Sequence, residues 1–126
     1  MKLKSAAGIV CYVKDVEETA QFYETLGFQL KTREPSRVTA YLNWFWIDFF
    51  SKDSEEGPAW KEEATPGNKG SGLLLYLSVE DVDEAYNELL EKGLKPSSEP
   101  RNQPGGIREF ALRDPDGYQL ILFKKK

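Results

Sequence analysis

The chain contains no histidine. That removes every centre built on an imidazole: Ser–His and Cys–His dyads, histidine acid–base pairs and histidine-ligated metals. Cysteine is nearly absent too. With Cys11 alone, no disulfide can form within the chain, and the usage fits a reducing compartment. No apolar run approaches the ~20 residues that cross a bilayer. The opening Met1-Lys-Leu-Lys4 lacks the long apolar stretch of a secretory leader. A cytoplasmic protein is the expectation. Basic residues are outnumbered 17 to 21, for a net charge of -4 at pH 7. This balance argues against nucleic acid and anionic membranes as partners and favours neutral or cationic ligands.

What the chain does have is a near-copy of itself. The segment Val13-Lys-Asp15-Val16-Glu17-Glu18 returns as Val79-Glu-Asp81-Val82-Asp83-Glu84, and Gly27-Phe28 returns at the same spacing as Gly93-Leu94. A repeat of this kind implies two similar modules, so it fixes the architecture before any single motif is read. A site shared by such modules would draw on matching positions of both.

Each module reads as a strand, a helix and further strands. Residues 5–13 form the first strand. Asp15 and Glu18 have the spacing of a helix capping box, and Val16, Ala20, Tyr23 and Leu26 recur at helical spacing up to Gly27. A strand over Phe28–Arg33 and a hairpin of Val38–Leu42 with Phe45–Phe50 complete module one, residues 1–52. Residues 53–70 are polar and rich in proline and glycine, as a linker or lid. Module two, 71–126, opens with a strand over Gly72–Val79. Asp81 and Glu84 repeat the box, and Val82, Tyr86, Leu89 and Leu90 line the helix. Short strands over Leu94–Ser98, Ile107–Arg113 and Tyr118–Lys124 follow, with Glu99–Gly106 as a loop. Asp114-Pro-Asp-Gly117 is a strong turn signal. The fold class is α+β: two βαβββ modules in one domain, whose paired four-stranded sheets surround a cup.

Three segments carry a resemblance to a known family. They are Val13-Lys-Asp15 with Gln21-Phe-Tyr-Glu-Thr-Leu-Gly-Phe28, Val79-Glu-Asp81 with Gly93, and Asp114-Pro-Asp-Gly-Tyr-Gln-Leu-Ile-Leu-Phe123. Together they resemble the vicinal oxygen chelate superfamily of glyoxalase I, extradiol dioxygenases and bleomycin resistance proteins, over essentially the whole chain. The resemblance implies a divalent metal held in the cup by histidine and glutamate. Its implied ligand positions are here Gly8, Leu74, Ile121 and a residue near Asp48. Three of these cannot bind a metal, and a lone carboxylate does not make a site that needs about three or four donors. What remains resembles the metal-free members, and those imply a homodimer that binds a bulky cationic drug.

Strand alternation assigns side chains to the cup. Gly8, Val10 and Tyr12 share one face of the first strand; Trp46, Asp48 and Phe50, Leu74, Tyr76 and Ser78, and Gln119, Ile121 and Phe123 follow the same logic. The candidate ligand-binding set is Tyr12, Trp46, Asp48, Tyr76, Gln119 and Ile121, with no metal and no cofactor. Either these residues wall a cavity or they fill it. Asp48, between Trp46 and Phe50, is a counter-ion for a cationic ligand, or it pairs with Arg37, Arg108 or Arg113. Cys11 reads as a small buried hydrophobe. Trp60 reads as part of a lid or of a subunit contact. The expected function is metal-independent binding of a small aromatic or cationic molecule, as in antibiotic sequestration. The alternative is a metal-independent lyase or isomerase with Asp48 as base and Tyr12 or Tyr76 as acid.

Overall fold

A computed structural model describes residues 1–53 and 72–125. Trp60, and all but Asp53 of the expected linker or lid over 53–70, lie outside the described residues. The chain divides into two compact units, Met1–Gly67 and Asn68–Lys126, each built on one plan. The first runs β1 (Gly8–Val13), α1 (Val16–Leu26), β2 (Gln29–Glu34), β3 (Arg37–Leu42) and β4 (Phe45–Ser51). The second runs β5 (Leu74–Ser78), α2 (Val82–Glu91), β6 (Arg101–Gln103), β7 (Ile107–Arg113) and β8 (Gln119–Lys125). The strand orders are β1-β4-β3-β2 and β5-β8-β7-β6, with β1 parallel to β4, β5 parallel to β8 and the remaining pairs antiparallel. The fold is α+β, two βαβββ modules, as the repeat implies.

The repeated residues do the same work in both units. The Asp15 carboxylate accepts from the Glu18 amide at 3.0 Å, and Asp81 accepts from Glu84 at the same distance. Each satisfies a first-turn N–H that the helix cannot. Both helices also end alike. The amides of Gly27 and Phe28 donate to the carbonyls of Glu24 and Tyr23, and those of Gly93 and Leu94 donate to Leu90 and Leu89. Gly27 and Gly93 take φ 112° and 84° there, the left-handed region that such a stop needs. Val16, Ala20 and Tyr23 bury α1 on its sheet, with the Tyr23 ring 4.6 Å from Phe49 and 5.2 Å from Phe28. In α2, Val82 and Leu89 are buried and Tyr86 meets Phe110 edge-on at 5.3 Å. Leu90, expected on that stripe, is exposed.

The expected strand over Leu94–Ser98 is replaced. That segment bonds to β7 through Ser97 N–H to the Ala111 carbonyl and the Ala111 amide to Ser98 Oγ, without forming a ladder. The strand falls instead inside the expected loop, as the three residues of β6 between Pro100 and Pro104. β6 is a sheet edge, where proline withholds no ladder bond. In unit 1, β2 carries a bulge between Lys31 and Glu34, with Thr32 at φ 49°. The extra residue turns Arg33 to the helix side, where it meets Glu17 at 2.6 Å and Glu24 at 3.6 Å.

Candidate functional site

Each sheet has one face covered by its helix and one that is not. In unit 1 the helix-free face is read from the register as three rows: Gly8, Trp46, Tyr41 and Gln29; Val10, Asp48, Thr39 and Lys31; Tyr12, Phe50, Arg37 and Glu34. In unit 2 the matching rows are Leu74 with Gln119, Tyr76 with Ile121, and Ser78 with Phe123. The six expected binding residues therefore occupy the helix-free faces, three on each unit. Gly8 matches Leu74 and Asp48 matches Ile121 as partners of equivalent strand pairs.

Their exposure differs. Tyr12 is 1 % and Ile121 6 % exposed, so both lie beneath the surface of their faces. The Tyr12 ring centroid is 6.0 Å from that of Phe50, and burial pushes its phenol pKa up. Trp46, Asp48 and Gln119 are half-buried, and Tyr76 is 48 % exposed. Gln119 Oε1 is buried with no hydrogen-bond partner among the described residues. Tyr76 lies edge-on to Phe123 at 5.3 Å.

Asp48 is paired. Its Oδ2 accepts from Arg37 Nη2 at 2.8 Å and its Oδ1 from the Thr39 hydroxyl. Of the readings weighed for this residue, the structure holds the ion pair, made within the helix-free face. The Arg37 guanidinium also lies 5.1 Å from the Phe50 ring centre. With both oxygens engaged, the charge of Asp48 is offset before any ligand arrives. Thr39, Tyr41 and Lys31 belong to this face and were not singled out from sequence. The signal was present: a two-residue turn at Asn43-Trp44 fixes Tyr41 opposite Trp46 and Thr39 opposite Asp48. Lys31 Nζ stands 4.8 Å over the Tyr41 ring.

The superfamily's metal positions do not fit a divalent cation in this chain. Leu74 and Ile121 are apolar, and Asp48 is committed to Arg37 and Thr39. Gly8 offers no donor, and the space a side chain would need is taken: a Cβ built there runs into the six-membered ring of the Trp46 indole and into the Trp46 carbonyl. Among the described residues, no three His, Cys, Asp or Glu side chains gather as a metal-binding group. A depression of about 1010 Å³ lies by the start of α2, lined by Glu80, Asp81, Glu84, Glu88 and Lys124 among others. Its charged walls do not suit an apolar ligand.

Residues 6–122 match the family model described as Glyoxalase/Bleomycin resistance protein/Dioxygenase superfamily. The chain belongs to this superfamily. A curated relative, the uncharacterized protein YraH of Bacillus subtilis, is 28 % identical over 117 residues, which span 89 % of this chain and 91 % of YraH. Among solved structures, the virulence protein STM3117 of Salmonella typhimurium superposes with a TM-score of 0.81 at 24 % identity, covering all of both chains. The bleomycin resistance determinant encoded on transposon Tn5 gives 0.68 at 25 % identity, over 98 % of this chain and 99 % of that one. The superfamily membership fits the repeat, the paired caps and the Asp-Pro-Asp-Gly turn. In that turn the buried Asp114 carboxylate accepts from the amides of Asp116 and Tyr118.

Proposed function

We propose that this protein binds a small organic molecule with an aromatic ring, without a metal, on its helix-free sheet faces. The observation that carries this reading is the Gly8–Trp46 pair. At the place where the superfamily's metalloenzymes hold a ligand to their metal, this chain presents an indole. On the same face stand Tyr41 and Phe50, an aromatic set suited to planar or apolar ligands. Sequestration of an antibiotic-like compound by a cytoplasmic homodimer is the form this activity takes here. It is supported by the fold shared with the Tn5 bleomycin resistance determinant and by the single buried cysteine. The cationic half of the sequence expectation depended on an unpaired Asp48, and the Arg37 pair withdraws that support. The lyase reading loses ground for the same reason, because the carboxylate assigned as base is occupied.

Thermal shift on metal-stripped protein, screened with planar aromatic compounds, tests the proposal. A ligand at 100 times its dissociation constant adds ~2.7 kcal/mol, a clear rise in melting temperature. If no aromatic compound shifts the transition while Zn²⁺, Mn²⁺ or Ni²⁺ does, metal-independent binding is wrong.

A further inference from the structure

The charges on the helix-free face of unit 1 are unevenly placed. Asp48 and Arg37 offset each other. Glu34 stands opposite Arg37, at the turn end of β2. Lys31 is different: it is exposed, no carboxylate among the described residues pairs with it, and its ammonium rests over Tyr41. Glu34 lies past the bulge, two residues along β3 by register. In the half of the face holding Trp46 and Tyr41, the charge set against an aromatic ring, among the described residues, is Lys31.

The same half is the open one. Tyr12 and Phe50 are buried in the third row, whereas Trp46 and Tyr41 are half-buried in the first. One flank of the Trp46 indole rests on Gly8, which holds the ring in place, as its Cβ clash shows. Tyr41 lies beside Trp46 on the next strand, and Lys31 comes from the strand after that. Two strand spacings are about 10 Å, the length of a two-ring aromatic system with one substituent.

Resting on the binding proposed above, we infer that this end of the face selects a planar aromatic acid: its rings lie against the Trp46 indole and its anionic group pairs with Lys31. Gly8 and Tyr41 act as positioning residues, Gly8 by leaving room for the indole and Tyr41 by holding the lysine through its ring face.

Calorimetric titration of the full chain with 2-naphthoate, 2-naphthalenemethanol and 2-naphthylmethylammonium separates the contributions. The acid should bind at least fivefold tighter than the neutral alcohol, and the ammonium weaker than either. Lys31→Gln should erase the acid's advantage and leave the alcohol within twofold, and Lys31→Glu should reverse the order of acid and ammonium. Lys31 is an exposed strand residue, so both variants should fold, which far-ultraviolet circular dichroism checks. If the ammonium binds as tightly as the acid, or the acid's advantage survives in Lys31→Gln, the inference is overturned while aromatic binding stands. If none of the three binds, both fall together.

Discussion

Gly8 is glycine because its partner across the ladder needs the space. The Trp46 ring and carbonyl both lie where a Cβ at position 8 would go. A methyl group cannot be absorbed by turning the indole alone, since the carbonyl belongs to the β1–β4 ladder. Gly8→Ala should therefore cost about 1–3 kcal/mol, the usual range for overpacking, and should shift tryptophan emission. Urea unfolding followed by circular dichroism reads the loss directly, and native-like stability with unchanged emission would count against the indole's placement. Thr32 is the complementary case. A β-branched residue at φ 49° is strained by roughly 1–2 kcal/mol, part of which glycine relieves against its own chain entropy. Thr32→Gly should raise the urea midpoint and Thr32→Val should not. The sequence shows a glycine at the implied ligand position, but not the indole that fills the space beside it. That contact depends on which residue of β4 stands opposite, and no local pattern states it. Asp48 shows the same limit. Arg37 was one of three arginines in reach by sequence, and only the register of β3 on β4 chooses among them.

The features legible in advance at the scale of elements were those set by neighbours in sequence. Both caps, both helix stops and the Asp-Pro-Asp-Gly turn depend on residues within five positions of one another, and all are as the residues imply. β6 was not legible, because three residues between two prolines carry no period to detect. Nor was the bulge in β2, which brings Arg33 to Glu17 and Glu24 on α1. Asp15→Ala and Asp81→Ala should each lower stability by ~1 kcal/mol, and nearly additively, since each caps a different unit. Thermal unfolding of the single and double variants checks this. The helix–sheet ion pairs add a pH dependence. The hydrogen bond from Arg33 holds Glu17 below its usual range, and the hydrogen bond from Arg108 does the same for Asp83. Carboxyls lowered in the folded state stabilise it above the unfolded range of about pH 4. That contribution disappears as pH falls through the folded values. The double variant Arg33→Gln/Arg108→Gln should lose less stability than the native chain between about pH 5 and 3, measured as urea midpoints across that range.

At the scale of the whole molecule, the two units obey one plan and differ in what they leave uncovered. On β1, Cys11, Tyr12 and Val13 are buried. On its counterpart β5, Leu74 is 54 % and Tyr76 48 % exposed, and the adjoining Leu73 is 44 % exposed. Among the described residues β5 is paired on one side only, with β8. The stretch Gly72–Val79 contains no charge and no proline. Sheet edges that face water are normally guarded by lysine, proline or a bulge, because an open uncharged edge pairs with other chains. An edge with none of these guards needs a cover, and a second copy of the chain supplies one with the same composition. This is the physical ground for the proposed homodimer. Its expected signature is a dimer mass by light scattering at micromolar concentration. Leu74→Lys should shift that mass toward the monomer, since it sets a charge in the middle of the apolar strip. Asn87→Lys, at an exposed position of α2, serves as the control and should leave the mass unchanged. A native chain that stays monomeric at millimolar concentration would remove the dimer from the proposed function, and the cover for β5 would then have to come from the chain itself.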